Sequence, residues 1–215
     1  MSLTESDFRA YLRRLIDGQF PDGGVHDMKA AIDAALVRTE RCFSAITLPA
    51  YARDGEPYLS HLHGDQFAVF LYYLSNAAYR NGDRMLAEKA MLLNKARNGI
   101  VVTYDTELPE HLLLIHTVGT VLGKATYGDF FVATQNVTVG THRGAAPVFG
   151  AGVILYPHAF VAGRCTFGDH TRVAAGAVVL DLQCAPGSVV SGAHPNVSIH
   201  SSARHSLGDY FKTAD

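Results

Sequence analysis

The sequence predicts an α+β protein in which an N-terminal helical domain is followed by a parallel β-helix of hexapeptide repeats. Every sixth residue of one stretch is apolar: Phe149, Leu155, Val161, Phe167, Val173 and Val179. Small or branched residues stand four places after the first five of these: Val153, Ala159, Cys165, Thr171 and Ala177. A period of six is neither helical nor a simple strand alternation, and it is typical of coils made of three short strands. The alternative, a β-sandwich, would show two-residue alternation between hairpin turns.

The same ladder extends backward along the chain and is interrupted twice. Its earlier members are Leu108, Leu114, Val121, Tyr127, Ala133 and Val139. The step from Leu114 to Val121 is seven residues, and the step from Val139 to Phe149 is ten. A β-helix tolerates insertions at its corners because each coil contacts only its neighbours, so about four residues are expected to loop out after Gly140.

Residues 1–99 are predicted to form the helical domain, residues 100–197 the β-helix domain and residues 198–215 a C-terminal tail. Apolar spacing and capping residues place four helices, which begin after Thr4 or Ser6 and at about residues 27, 66 and 84. Asp65 and Asp83 are the expected caps of the last two helices. The segment Phe67–Tyr73 is apolar almost all round, so we expect it to pack against other helices or a second subunit. The flat faces of a β-helix favour a closed ring of identical subunits, and we expect a homotrimer.

Composition excludes several classes of protein. The 215 residues carry a net charge of -2 without a basic patch, so no nucleic-acid partner is expected. No apolar run approaches the ~20 residues that span a bilayer, and the first residues lack the apolar centre of a signal peptide. The cysteines, Cys42, Cys165 and Cys184, are odd in number and far apart. They indicate free thiols in a reducing, cytoplasmic compartment.

Two histidines stand at the two interruptions of the ladder, His116 at the seven-residue step and His142 in the extruded loop. The surrounding segments read LPEHLLLIHTVG (residues 108–119), QNVTVG (135–140), THRGAAP (141–147) and GAHP (192–195). With the helical domain before them, these segments resemble the serine acetyltransferases of the hexapeptide-repeat acyltransferase superfamily over about residues 100–197. The resemblance implies that the β-helix is left-handed and that the protein moves an acetyl group from acetyl-CoA to an acceptor hydroxyl.

The resemblance also implies roles for particular residues. An attacking alcohol must lose its proton, and a histidine can take it because its pKa lies near neutrality. His116 matches the general base of the family, and His142 matches the residue that assists it. We expect the apolar run before His116 to keep water away from its ring. The residues expected along the acetyl-CoA groove are Gly140, Tyr156, Pro157, Ala174 and Ala175.

The acceptor stays open between serine and a sugar-like alcohol. Serine acetyltransferases carry an Asp directly before the base and another fifteen residues before it, where this chain has Ile115 and Val101. Those carboxylates orient the base and hold the amino group of serine. Asp105, Glu107 and Glu110 are the replacements that the sequence suggests.

Two other classes of function are open alternatives. One is a scaffold that keeps the fold without catalysis. The other is a β-helical metalloenzyme of the carbonic-anhydrase kind, which needs three converging histidines. The later coils carry Cys165 and Asp169 instead of a close pair of histidines, so no metal is expected.

Overall fold

The computed structural model describes residues 1–202 and 206–212. Its N-terminal part contains the four predicted helices: α1 (Glu5–Gln19), α2 (Lys29–Ser44), α3 (Gly64–Arg80) and α4 (Arg84–Asn98). A 3-10 turn (Pro49–Tyr51) and a short hairpin of β1 (Ala52–Arg53) and β2 (Glu56–Pro57) connect α2 to α3. No helix in the described part of the chain has the length and apolar character needed to cross a bilayer.

Side chains cap the N-termini of α1, α3 and α4. Asp83 caps α4 by accepting a hydrogen bond from the backbone N–H of Leu86 at 2.9 Å. Gly99 ends the same helix in the left-handed conformation, with φ of 68°. The cap of α3 was predicted wrongly, because His63 and not Asp65 accepts a hydrogen bond from the N–H of Gln66. Asp65 therefore lies within the first turn of α3, where its carboxylate can reach another part of the chain.

Helix α3 is buried on all sides, as its composition predicts. Every residue from Gln66 to Ala78 is buried. Helices α2 and α4 both pack against α3, and β4 in the first coil of the β-helix also contacts it. The predicted packing against other helices is confirmed, and no second subunit is needed to cover this helix.

The strands that follow are short and recur in threes. In chain order they are β3 (Val101–Val102), β4 (Leu112–Leu114), β5 (Val121–Leu122), β6 (Thr126–Tyr127), β7 (Phe131–Ala133), β8 (Thr138–Gly140), β9 (Val148–Phe149), β10 (Ile154–Leu155), β11 (Phe160–Ala162), β12 (Thr166–Phe167), β13 (Arg172–Val173), β14 (Val178–Leu180), β15 (Gln183–Cys184), β16 (Ser188–Ala193) and β17 (Asn196–Ser201).

These strands form the three faces of a left-handed parallel β-helix, which confirms the predicted fold. The first face contains β3, β5, β8, β11 and β14. The second face contains β6, β9, β12 and β15. The third face contains β4, β7, β10, β13 and β16.

The six-residue ladder fills the interior of the coils, except that Leu122 takes the interior position predicted for Val121, because the corner before it is one residue longer than the sequence indicated. Its members from Phe149 to Val179 are no more than 2 % exposed. Three aromatic rings stack along the axis, with centroids 5.4 Å apart for Tyr127 and Phe149 and 5.2 Å apart for Phe149 and Phe167. The repeat arises because each ladder residue packs on its counterparts in the coils above and below it.

Residues after the β-helix return to the helical domain. Strand β17 forms an antiparallel hairpin with β16. Residues 206–212 then lie against α2 and the third face. The N–H of Lys212 donates to the carbonyl oxygen of Ala45 at 2.7 Å, and Phe211 is 1 % exposed against Phe130. Parts of the predicted tail, residues 203–205 and 213–215, lie outside the described residues.

Candidate active site

His116 lies at a corner that contains two extra residues. The corner joins the third face to the first. Seven residues separate Leu114 from Val121, whereas five separate their partners in the next coil, Ala133 and Thr138. The later coils turn the same corner with the shorter spacing. The interruption seen in the sequence is therefore an insertion that carries His116 out of the regular coil.

The backbone of His116 is in the left-handed region, with φ of 52°. The regular corners also contain one left-handed residue each, and these residues are in register: Gly119, Asn136, His158 and Gly176. His116 is additional to that set. A left-handed conformation costs a residue with a Cβ atom on the order of 1 kcal/mol. Conformations of this kind persist where the surrounding structure holds them, and they are frequent at functional sites.

A carboxylate from the helical domain reaches this corner. One carboxylate oxygen of Asp65, Oδ1, accepts a hydrogen bond from the backbone N–H of Thr117 at 3.3 Å. The other, Oδ2, lies 3.9 Å from Nδ1 of His116. The Asp65 side chain is 16 % exposed, whereas the His116 side chain is 76 % exposed. The expectation that apolar neighbours keep water from His116 is therefore wrong for the single chain, because the ring projects beyond the end of β4.

The carboxylates suggested by the sequence have other partners. Asp105 pairs with Lys124 at 3.0 Å, Glu110 pairs with Arg41 at 3.6 Å, and Glu107 pairs with Arg80. Sequence reasoning missed Asp65, which is 52 residues from Thr117 along the chain. No local pattern reports this contact, because it depends on how the N-terminus of α3 docks on the first coil.

His142 lies in the predicted extruded loop, between β8 and β9. The loop is a tight turn in which His142 and Ala145 exchange two backbone hydrogen bonds of 3.0 Å. Nδ1 of His142 lies 3.6 Å from Oδ2 of Asp181. The backbone N–H of Arg164 donates to Asp181 and lowers the pKa of its carboxyl, and the charge of His142 acts in the same direction. A cavity of about 340 Å³ is lined by His142, Arg143, Ala145, Arg164, Asp181 and Gln183.

The two histidines do not meet within one chain. His116 precedes β5, at the start of the first face, and His142 follows β8, at its end. The face is about five residues wide, or roughly 17 Å. Each histidine also has its own carboxylate neighbour, Asp65 in one case and Asp181 in the other.

The predicted acetyl-CoA residues divide between the same two edges. Gly140 ends β8 beside the His142 loop, and a Cβ atom added there would meet nothing within 4 Å. The other four, Tyr156, Pro157, Ala174 and Ala175, stack at the corner between the third and first faces. The N–H groups of Tyr156 and Ala174 are already donated to Val173 and Val190 in the next coil. These two amides therefore cannot pair with pantetheine unless the coil opens.

Three other histidines make structural contacts. His63 caps α3, and Nδ1 of His61 lies 2.8 Å from the hydroxyl of Ser2. His111 shares a contact of 2.8 Å with Asp129. Within residues 1–202 and 206–212, no three His, Cys, Asp or Glu side chains are grouped so that they could hold a metal ion.

Comparison with known proteins finds the same architecture in solved structures. A serine acetyltransferase from Vibrio cholerae O1 biovar El Tor N16961 superposes with a TM-score of 0.66 at 20 % identity, over 92 % of this chain and 75 % of that one. The enzyme from Brucella abortus strain S19 gives 0.64 at 20 % identity, over 91 % and 77 % of the two chains. The chain has the serine acetyltransferase fold. The shared fold includes the helical domain, since the match covers nine-tenths of the chain.

A second Brucella abortus serine acetyltransferase structure was solved in complex with coenzyme A. It superposes with a TM-score of 0.62 at 21 % identity, over 91 % of this chain and 76 % of that one. No family model matches the chain, and a search of the curated proteins finds no match.

Proposed function

We propose that the protein is an acetyl-CoA-dependent O-acetyltransferase in which His116 is the general base. The observation that carries this proposal is the corner of the coil, where two inserted residues hold His116 in a left-handed conformation beside a carboxylate. The inserted corner is anchored to the helical domain through Thr117, but the ring of His116 is left exposed, as a reactive group would be. The serine acetyltransferase fold, and the coenzyme A bound by one protein that shares it, support acetyl-CoA as the donor.

The reaction needs two proton transfers, one to His116 and one from it. His116 takes the proton of the acceptor hydroxyl as the hydroxyl oxygen attacks the thioester carbonyl carbon. The C–S bond then breaks, and the departing sulfur receives the proton from the imidazolium. The products are the acetyl ester and free coenzyme A, and the histidine returns to its neutral form. A positioned base of this kind contributes about 10²–10⁴-fold to the rate.

The proposal includes a homotrimer with the active site between subunits. The first face presents an outward row of Val121, Thr138, Phe160 and Val178, and the Val121 and Phe160 residues are 36 % and 37 % exposed. The third face is already covered by the helical domain and by residues 206–212, since Leu113, Val132 and Ile154 on it are buried. Association through the first face places the His116 corner of one subunit near the His142 loop of another. It also brings Gly140 toward the corner that carries Ala174 and Ala175.

The acceptor is proposed to be serine or a sugar-like alcohol. Ile115 and Val101 replace the carboxylates expected for serine, which favours an acceptor without an amino group. The three cysteines are free thiols, which fits a reducing compartment, and we propose a cytoplasmic location.

The test is an acceptor panel of amino acids, sugars and nucleotide sugars, each incubated with acetyl-CoA. Release of free thiol is measured for each compound against a reaction without acceptor. We expect at least one hydroxyl compound to accelerate thiol release, with the ester confirmed by mass spectrometry. The scaffold alternative predicts that no compound does so and that coenzyme A does not bind.

A further inference from the structure

A carboxylate of the helical domain, that of Asp65, lies 3.9 Å from Nδ1 of the proposed base. The Asp65 side chain is largely buried, and Oδ1 is fixed by the backbone N–H of Thr117, the residue that follows the base. Its position in the first turn of α3 favours a negative charge, because unpaired N–H groups point toward it there. The hydrogen bond from Thr117 holds the carboxylate at the corner, with Oδ2 at 3.9 Å from Nδ1 of His116, beyond hydrogen-bond length in this unliganded structure.

We propose that Asp65 is a positioning residue that fixes the tautomer and orientation of His116. An ionised carboxylate accepts hydrogen bonds and cannot donate them, so a hydrogen bond between Asp65 and the ring requires the proton on the nitrogen that faces the carboxylate. That nitrogen is Nδ1, at 3.9 Å from Oδ2. The proton of the neutral ring is then on Nδ1, and the lone pair of Nε2 is free to accept the proton of the acceptor hydroxyl. Catalytic hydrogen bonds are frequently long in the absence of substrate and shorten in the complex.

Asp65 also explains how this chain works without a carboxylate at position 115. Ile115 is an apolar residue directly before the base and cannot orient it. The three acidic residues nearest in sequence, Asp105, Glu107 and Glu110, pair with basic side chains elsewhere. Among the described residues, Asp65 is the acidic residue paired with His116. The orientation of the base therefore depends on a residue of the helical domain, and the inference rests on the proposed role of His116.

The test compares Asp65→Asn, Asp65→Glu and the control Asp7→Asn. In Asp65→Asn the amide oxygen still accepts from Thr117, so the corner keeps its hydrogen bond. The amide NH₂ then faces Nδ1 and donates to it, which moves the ring proton to Nε2 and leaves no lone pair for the acceptor. Asp7 also lies in the first turn of a helix and is hydrogen-bonded to Thr4, but it is in α1. Asp7→Asn therefore matches the charge change away from the corner.

Nitrogen-15 NMR of the histidine side chains reads the tautomer, with the His116 signals assigned by their loss in His116→Gln. We expect the protonated nitrogen to change from Nδ1 to Nε2 in Asp65→Asn only, together with a loss of about 10–100-fold in kcat, as for other orienting partners. The KM for acetyl-CoA should not change, and Asp65→Glu should recover part of the kcat. An unchanged His116 tautomer in Asp65→Asn would overturn this inference. A changed tautomer with full activity would support the positioning by Asp65 and overturn His116 as the base.

Discussion

The hydroxyl of Thr117 donates a hydrogen bond of 2.7 Å to the backbone carbonyl of Asn98, the last residue of α4. The backbone N–H of the same residue donates to Asp65 in α3. Thr117 is 4 % exposed, and its bond to Asn98 is buried while its bond to Asp65 is partly buried. One residue thus attaches the corner that carries His116 to the ends of two helices. The corner that carries the proposed base is therefore anchored to the helical domain.

Replacing Thr117 by Val removes the bond to Asn98 while keeping the shape of the side chain. We expect a loss of about 1 kcal/mol in the free energy of unfolding, because one buried hydrogen bond is broken. The midpoint of thermal unfolding should fall by roughly 2–4 °C. We also expect kcat to fall several-fold, since the corner is released from α4. Thr120→Val is the matched control, because the Thr120 hydroxyl donates to Thr134 within the coil and not to a helix. Equal losses of kcat in both variants would contradict the role assigned to Thr117.

The two candidate catalytic histidines should differ in their effects. His116→Ala is expected to reduce kcat by about 10²–10⁴-fold with the best acceptor, as loss of a general base does. His142→Ala should reduce kcat less or raise the KM of the acceptor, because in the proposed trimer His142 only assists the base from a neighbouring subunit. Steady-state kinetics with both substrates varied, with coenzyme A binding measured separately, distinguishes these outcomes. Full activity of His116→Ala would show that the mechanism is wrong.

The proposed assembly depends on the first face of the β-helix. Phe160→Asp places a charge in the outward row of that face and is expected to convert the trimer to monomers, since an unpaired charge buried in an interface is strongly unfavourable. Light scattering at micromolar concentration measures the mass. Thr166→Asp, at an exposed position of the second face, is the control and should remain trimeric. A monomeric wild-type protein, or a trimeric Phe160→Asp, would contradict the proposed interface.

The acetyl-CoA groove is tested at Ala175. Its side chain is exposed at the corner above Pro157, where a bulky group would fill the proposed groove. Ala175→Trp should abolish coenzyme A binding measured by calorimetry without changing the mass of the assembly. Ala185→Trp places the same group at an exposed position directly after β15 on the second face, and this variant should bind coenzyme A normally. Unchanged affinity in Ala175→Trp would refute the placement of the groove.

The fold was predictable because its signal is local and repeated. Each ladder residue contacts its counterpart one coil away, as Leu155 contacts Val173. Because each coil has three faces with one such residue on each, the same requirement recurs at every sixth position. Gly99 and Asp83 likewise act within a single turn of chain. The insertion at His116 was visible for the same reason, but its length was not: the structure has two extra residues where the sequence indicated one, because Leu122 and not Val121 faces the interior.

The surroundings of the site were not predictable, because they depend on contacts between distant segments. Asp65 reaches His116 only after α3 has docked on the first coil. His116 is exposed because the inserted corner projects from the coil. The apolar residues before it in sequence do not indicate in which direction that corner projects. Phe211 is buried for a similar reason, since the polar residues around it in sequence conceal a long-range contact.

The return of residues 206–212 to α2 changes how the β-helix can come apart. An open-ended repeat protein can unravel from its terminal coil, one repeat at a time, because each repeat depends only on its neighbours. Here the hydroxyl of Thr47 donates to the carbonyl of Asp209, 162 residues later. The last coil cannot peel away without also pulling on α2. During synthesis the contacts of Ala45–Thr47 are completed by Asp209–Lys212, which are made after the strands of the β-helix, so this part of the helical domain reaches its native contacts after those strands have been made.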